Sequence, residues 1–146
     1  MTIERFEDIR AWQEARVLAN LVYDATEAGT FARDFGLRDQ IREAAGSIMH
    51  NILRLPSVSP SVREIREAAG SIMHNIAEGF EAGSDAEFIK FLKYSRRSAS
   101  EVQSELYLAL DRKHLTTEAF QTIYDKATEV KKLINAFIGY LRRSTS

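Results

Sequence analysis

Residues 84–110 have the sequence SDAEFIKFLKYSRRSASEVQSELYLAL, and this stretch decides the fold class. Its apolar and small residues recur in alternating steps of four and three: Phe88, Leu92, Ser95, Ala99, Val102, Leu106 and Ala109. This spacing places them on one face of an α-helix and is typical of near-antiparallel packing in a bundle. Ser84 and Glu87 match a capping box at the start, and the cationic pair 113–114 suits a helix end. We therefore predict a helix over about residues 85–113.

Two more stretches, one near each end of the chain, show the same helical spacing. In residues 3–28 the apolar face is formed by Phe6, Ile9, Trp12, Ala15, Ala19, Val22 and Tyr23. In residues 117–143 it is formed by Phe120, Ile123, Ala127, Val130, Ile134, Phe137 and Leu141. No stretch alternates with the period of two that marks a strand. The sequence therefore predicts an all-α fold in a single domain, residues 1–146.

A twelve-residue sequence, IREAAGSIMHNI, occurs twice in the middle of the chain, at residues 41–52 and again at residues 65–76. The two copies are identical and lie 24 residues apart. Chance does not produce such identity, and a solenoid would contain several diverged repeats. Duplication of a short coding segment explains the repeat more simply than an artefact of sequence assembly does.

Both copies have helical spacing, which predicts helices over about residues 37–53 and 62–80. The linker between them, residues 54–61, contains both prolines of the chain and prevents one continuous helix. A four-helix bundle has one place for this helix, and we expect the second copy to fill it because it directly precedes the third helix. The first copy would then pack outside the bundle or exchange with a neighbouring subunit. The predicted fold is an antiparallel up-down four-helix bundle with one extra helical segment from this duplication.

The composition excludes several classes of function. The chain has no cysteine, which excludes thiolate catalysis and Cys-based zinc sites and fits a reducing cytoplasm. Its 20 Lys and Arg residues against 21 Asp and Glu residues give a formal net charge of -1, whereas dedicated nucleic-acid-binding proteins are usually basic. A local basic stripe is still compatible with that balance. No apolar run approaches the roughly 18 residues of a membrane span, and the N-terminal residues do not resemble a signal peptide. We therefore expect a cytoplasmic protein with no membrane partner.

No group of residues typical of an enzyme occurs in the sequence. The three histidines, His50, His74 and His114, stand outside any metal-binding motif. A phosphate-binding loop and a nucleophile elbow are both absent. Glu101 and Glu105 are four residues apart, which is usual for a solvated helix face. We therefore expect no catalysis, no cofactor and no metal.

Three motifs together resemble a known family. They are Phe6-Glu-Asp-Ile-x-x-Trp12, Ser71-Ile-x-x-Asn75-Ile-Ala-Glu-Gly79, and Glu87-Phe88-x-x-Phe91-Leu92 followed by Arg96-x-Ser98. With the extra 24-residue copy removed, nearly the whole chain resembles the bacterial four-helix-bundle family of 23S rRNA intervening-sequence proteins. The resemblance implies an up-down bundle and a homo-oligomer, since relatives form pentameric rings. It also implies an RNA or nucleoprotein partner, while the inserted copy departs from the family pattern.

Four polar residues of these motifs suit a latch between the second and third helices: Asn75, Glu78, Arg96 and Ser98. Asn75 and Glu78 are three residues apart and can point the same way, and Arg96 on the next helix can pair with Glu78. Buried polar groups need partners, so the first interpretation is a hydrogen-bonded latch. A contact with a ligand or partner is the alternative.

Basic residues on the last two helices form a possible nucleic-acid-binding surface: Lys90, Lys93, Arg97, Lys131 and Lys132. The first three are spaced as one stripe, which could hold phosphates by counterion release. A solvated helix face is the alternative.

Two functional hypotheses follow. One is a non-catalytic oligomeric scaffold for RNA or a nucleoprotein, and the other is a structural protein–protein interaction module with no nucleic-acid role.

Overall fold

The computed structural model describes residues 3–26 and 60–145, and within these ranges it contains helices and no strand. A short 3-10 helix, Phe6–Asp8, precedes the first α-helix. The four α-helices are α1 (Arg10–Thr26), α2 (Pro60–Phe80), α3 (Asp85–Asp111) and α4 (Thr117–Thr145). The predicted all-α four-helix bundle is confirmed. The extra helical segment predicted over residues 37–53 lies outside the described residues.

The four helices pack in a closed square. The packed pairs are α1–α2, α2–α3, α3–α4 and α4–α1. Only residues 81–84 join α2 to α3, and residues 112–116 join α3 to α4, so the joined helices must run antiparallel. Helix α1 also runs antiparallel to α2, because Thr26 at its end accepts a hydrogen bond from Arg66 near the start of α2 at 2.8 Å.

The core is built from the helix faces that the spacing predicts. All seven residues of the α3 seam, from Phe88 to Ala109, are buried. Helix α2 buries the apolar face of the second repeat copy: Ile65, Ala68, Ala69, Ile72 and Ile76. The second copy therefore forms the second helix of the bundle, between α1 and α3. Pro60 is the first residue of α2, where its missing N–H and fixed φ suit a helix start.

Local hydrogen bonds set the helix ends. The Ser84 hydroxyl accepts from the Glu87 backbone N–H at 3.2 Å, as the capping pattern predicts for the start of α3. Thr116 caps α4 in the same way, accepting from the Ala119 N–H at 3.0 Å. Helix α3 ends at Asp111, two residues before the predicted limit, because Lys113 has a φ of 64°. Its left-handed conformation lets the next N–H, of His114, donate to the Ala109 carbonyl at 2.9 Å.

The beginning of the chain differs from the expected continuous helix over residues 3–28. Ile9 has extended backbone angles, φ −76° and ψ 120°, so it separates the 3-10 helix from α1. Phe6 still packs near Trp12, with ring centroids 5.2 Å apart, and Ile9 is still buried. The apolar spacing therefore identified most of the buried positions, although the backbone is not one helix there. Tyr23 of the predicted face is 44% exposed, and the buried Leu18 was not part of that face.

Candidate functional site

Helices α3 and α4 form a groove of about 460 Å³ on the surface of the bundle. We call it the basic groove, and it is lined by Lys93, Arg96, Arg97, Ser100 and Lys131. Four of these five residues are cationic, and none is acidic. The structure thus brings together three residues of the predicted nucleic-acid-binding surface, Lys93, Arg97 and Lys131.

The fold positions these residues through the packing of α3. Leu92, Ser95 and Ala99 face the core. The groove residues occupy the neighbouring positions of the same turns, from Lys93 to Ser100, and therefore project outward beside α4. Lys93 and Arg97 are exposed, while Arg96 and Lys131 are half-buried at the junction of the two helices.

A buried glutamine anchors Lys131. Gln103 on α3 donates to the Thr128 hydroxyl at 2.9 Å and to the Tyr124 carbonyl at 3.3 Å, both on α4. Its side-chain carbonyl accepts from Lys131 Nζ at 3.1 Å. These bonds fix the Lys131 ammonium beside the helix junction. Gln103 was not among the site residues predicted from the sequence. Its only signal there was a polar residue directly after Val102 of the α3 seam.

Arg96 and Arg97 are oriented by different contacts. Arg96 Nη1 donates to Asn135 Oδ1 on α4 at 2.6 Å, which ties its guanidinium to the groove wall. The Arg97 guanidinium lies 5.6 Å from the centroid of the Tyr94 ring, within the range of a cation–π contact. The groove therefore presents one exposed and one tethered arginine side by side.

The two remaining residues of the predicted surface lie outside the basic groove. Lys90 is exposed on α3 about one turn before Lys93, and Lys132 is exposed on α4. Adjacent helical positions point about 100° apart, so Lys132 cannot share the direction of Lys131. Lys126 of α4 is also separate, because its Nζ contacts Glu14 Oε1 at 2.6 Å and Glu129 Oε1 at 3.1 Å.

A second polar cluster joins α2 to α3 and contains two of the predicted latch residues. The Ser71 and Ser98 hydroxyl oxygens are 2.8 Å apart, and Asn75 Nδ2 donates to Ser71 Oγ at 3.1 Å. Nearby, the buried Ser95 hydroxyl donates to the Ile72 carbonyl at 2.8 Å. Asn75 and Ser98 are thus brought together through Ser71, a residue that the sequence analysis did not include in the latch.

The expected pairing of Arg96 with Glu78 is not formed. Arg96 projects toward α4 and binds Asn135, whereas Glu78 is exposed on α2. Glu78 lines a separate cleft with Phe6, His74, Ala77 and Glu81. Spacing along each helix does not show which neighbouring helix residue 96 faces, and the predicted pairing was wrong for this reason.

Glu105 differs from the solvated residue that its spacing to Glu101 suggests. Its side chain is half-buried, and burial together with the negative charges of Glu64 and Glu101 raises the pKa of Glu105 to about 7. Within residues 3–26 and 60–145, no group of three or more His, Asp or Glu side chains is arranged to hold a metal ion.

These features define a small all-α bundle protein with a cationic groove between its last two helices. The chain belongs to the 23S rRNA-intervening sequence protein family, whose model matches residues 7–54 and 60–136. The family resemblance predicted from the sequence motifs is confirmed. Each of the two matched stretches contains one copy of the repeat.

The fold also occurs in a solved structure. A protein of unknown function from the S23 ribosomal protein family of Bacteroides thetaiotaomicron has 20% sequence identity and a TM-score of 0.61 to this chain. The similarity covers 88% of this chain and 97% of that one. No curated protein matches the sequence. In the part of the chain that the structure describes, no helix is long and apolar enough to cross a membrane.

Proposed function

We propose that this chain is a non-catalytic, oligomeric bundle protein that binds RNA through the basic groove. The observation that carries the proposal is the grouping of four cations, without a carboxylate, in one groove. Membership of the 23S rRNA-intervening sequence protein family supports RNA as the partner. The absence of cysteine supports a place in the reducing cytoplasm.

Phosphate recognition follows from the chemistry of the groove. Arginine offers a planar set of N–H donors to phosphate oxygens, and lysine offers a compact positive charge. Arg96 and Lys131 are already held by Asn135 and Gln103, so binding would immobilise fewer side chains. Contacts of this kind position a nucleic-acid backbone without reading its sequence, so the groove suits the shape of a folded RNA.

Assembly into a homo-oligomer would make RNA binding tighter than a single groove allows. The net charge of -1 means that the whole chain provides no general attraction for RNA, so attraction depends on the local field. Repeating the basic groove around a symmetric assembly, such as the pentamer implied by the resemblance, presents several phosphate sites to one RNA. Simultaneous engagement then raises the overall affinity without any new contact.

Titration of a fluorescently labelled stem-loop RNA at several salt concentrations tests this proposal. We expect binding that weakens as salt rises, because phosphate contacts release counterions. The double variant Lys93→Gln/Arg97→Gln should bind more weakly, and its salt slope should be lower by about two, one for each lost contact. These two side chains are exposed, so the fold should be unaffected.

The matched control is Arg16→Gln/Arg142→Gln, which removes the same charge from exposed positions of α1 and α4 outside the basic groove. Its RNA affinity should stay close to that of the unmodified chain. Equal loss of affinity in both double variants would show that overall charge, not the groove, governs binding. Absence of RNA binding, or binding insensitive to salt, would contradict the proposal.

The second candidate function is a structural module that holds a protein partner. It is favoured by exposed large apolar side chains on α1: Val17 is 43% exposed, and Tyr23, whose ring contacts the Arg66 guanidinium on α2, is 44% exposed. Affinity capture that recovers a defined protein and no nucleic acid would support this alternative. Loss of this protein partner in Val17→Ser, with the partner still captured by Lys93→Gln, would distinguish this function from binding at the basic groove.

A further inference from the structure

The two copies of the repeat contain the same set of core side chains. The apolar residues that α2 buries in the core all belong to the twelve-residue repeat, from Ile65 to Ile76. Residues 41–52 contain the same side chains in the same order, including the equivalents of Ser71 and Asn75. The repeat itself therefore gives the bundle no basis for choosing between the copies.

The residues that follow each copy are different. After the second copy the sequence is Ala-Glu-Gly-Phe, residues 77–80, and after the first it is Leu-Arg-Leu-Pro, residues 53–56. Gly79 therefore corresponds to Leu55, because both are the third residue after the repeat. This difference falls at the last turn of α2, where it enters the connection to α3.

At Gly79, helices α2 and α3 approach too closely for a side chain to fit. A Cβ atom at this position would be 2.7 Å from Phe88 Cδ1 and 2.9 Å from Phe91 Cβ. The Phe91 Cβ atom is attached directly to the α3 backbone, so it cannot be moved by a rotamer change. Any side chain here, and a leucine above all, would require α2 and α3 to separate.

The residue after Gly79 adds to the discrimination. The Phe80 ring packs edge-to-face with Phe88, with centroids 6.2 Å apart. Pro56, the corresponding residue after the first copy, has no such ring. A proline also disfavours the helical conformation of the residue before it, which here is Leu55.

We propose that Gly79 selects which of the two identical copies forms the second helix of the bundle. The first copy contains the same core side chains, and Leu55 excludes it from this place. The inference is independent of RNA binding, since every contact that it uses lies between α2 and α3. We therefore expect that a glycine placed after the first copy allows this copy to form the second helix.

Cysteine cross-links can report which copy is in place, because the chain has no cysteine of its own. The Ser71 and Ser98 hydroxyl oxygens are 2.8 Å apart, which places these side chains within reach of a disulfide. On oxidation, the variant Ser71→Cys/Ser98→Cys should form an intramolecular cross-link. The variant Ser47→Cys/Ser98→Cys, which tests the first copy, should form little.

Three variants test whether the choice can be reversed. Ile72→Asp places a charge at a position with no exposure, so the second copy can no longer pack and we expect the fold to be lost. Adding Leu55→Gly and Pro56→Phe gives the first copy the exit of the second. We expect this triple variant to regain its helical circular dichroism spectrum. When it also contains Ser47→Cys and Ser98→Cys, it should form the cross-link through position 47.

The control Ile72→Asp/Pro56→Phe keeps Leu55 and should remain unfolded, which isolates the contribution of the glycine. Failure of the triple variant to regain the fold would overturn the proposal. So would recovery of the fold in the control, or an efficient cross-link through position 47 in the chain with Gly79 and Leu55 unchanged.

Discussion

Lys113 has a backbone conformation that lysine rarely adopts, with a φ of 64°. The conformation is maintained because the Lys113 and His114 N–H groups both bond to carbonyls of the last turn of α3. Replacing Lys113 with glycine removes the steric penalty of the side chain. We expect Lys113→Gly to raise the free energy of unfolding by about 0.5–1 kcal/mol.

The neighbouring residue provides the control for this prediction. Arg112 has an ordinary φ of −84°, so Arg112→Gly gains nothing from the freedom of glycine and should lower stability. Urea denaturation of both variants measures the two effects. A loss of stability in Lys113→Gly as large as that in Arg112→Gly would contradict the account of this helix end.

Glu105 makes stability depend on pH. Burial, with the charges of Glu64 and Glu101, raises its pKa in the folded state to about 7, above the ordinary value of 4.5. Between these two values the folded state binds more protons than the unfolded state. The stability associated with this group is therefore greatest below pH 4.5 and falls as pH rises through 7.

Glu105→Gln should remove this dependence, because glutamine stays neutral. At pH 8 the variant is expected to be more stable than the unmodified chain by about 1–2 kcal/mol, and at pH 4.5 the difference should be small. Thermal unfolding of the variant and the unmodified chain at both pH values measures this difference in stability. Equal effects at both pH values would show that the carboxylate charge is not the cause.

Two of the four predicted latch residues, Ser98 on α3 and Glu78 on α2, should behave differently when truncated. Ser98→Ala leaves the Ser71 hydroxyl without its partner on α3 and should lower the free energy of unfolding by about 1 kcal/mol. Glu78 is exposed, so Glu78→Ala should change it by less than about 0.5 kcal/mol. A loss for Glu78→Ala as large as that for Ser98→Ala would contradict the observed arrangement of the two helices.

At the scale of helices, two glycines of α2 have opposite roles. A Cβ at Gly70 would lie 3.9 Å from His74 Cδ2, an ordinary contact, so Gly70→Ala should stabilise the helix by about 0.5–1 kcal/mol. A Cβ at Gly79 would meet Phe88 and Phe91 at less than 3.0 Å. Gly79→Ala should therefore destabilise the bundle by about 1–3 kcal/mol, despite its better helix propensity.

Calorimetric melting of the two alanine variants tests this contrast. The same substitution is made in the same helix, so differences in propensity largely cancel. Stabilisation by both substitutions would show that α2 and α3 can separate at Gly79 without a penalty. It would also remove the physical basis for the selection between the two repeat copies.

The helices and their buried faces could be predicted because periodicity depends on local spacing alone. The α3 seam from Phe88 to Ala109 is an example, since every predicted residue is buried. The conformation of Ile9 and the end of α3 at Asp111 depend on individual backbone angles, which apolar spacing does not report. The pairing of Arg96 with Asn135 depends on the rotation of α3 relative to its neighbours. Such contacts between helices are set by the packing of the whole bundle.

At the scale of the whole molecule, the chain is nearly neutral, yet four of its 20 Lys and Arg residues line the basic groove. Acidic residues balance basic ones in the total, and Glu14 and Glu129 pair with Lys126 elsewhere on the bundle. The basic groove lacks such partners among its lining residues. Its composition could be anticipated only in part, because Lys93 and Lys131 come from helices whose relative position the sequence does not give.

Mapping bound RNA on the protein by NMR is the most direct test of the central claim, that the basic groove holds phosphates. A stem-loop RNA is titrated into isotope-labelled protein while the backbone amide shifts are followed. We expect shift changes concentrated at residues 93–100 and around Lys131, and little change on α1 near Val17. Changes concentrated on α1, or no saturable change at any position, would contradict it.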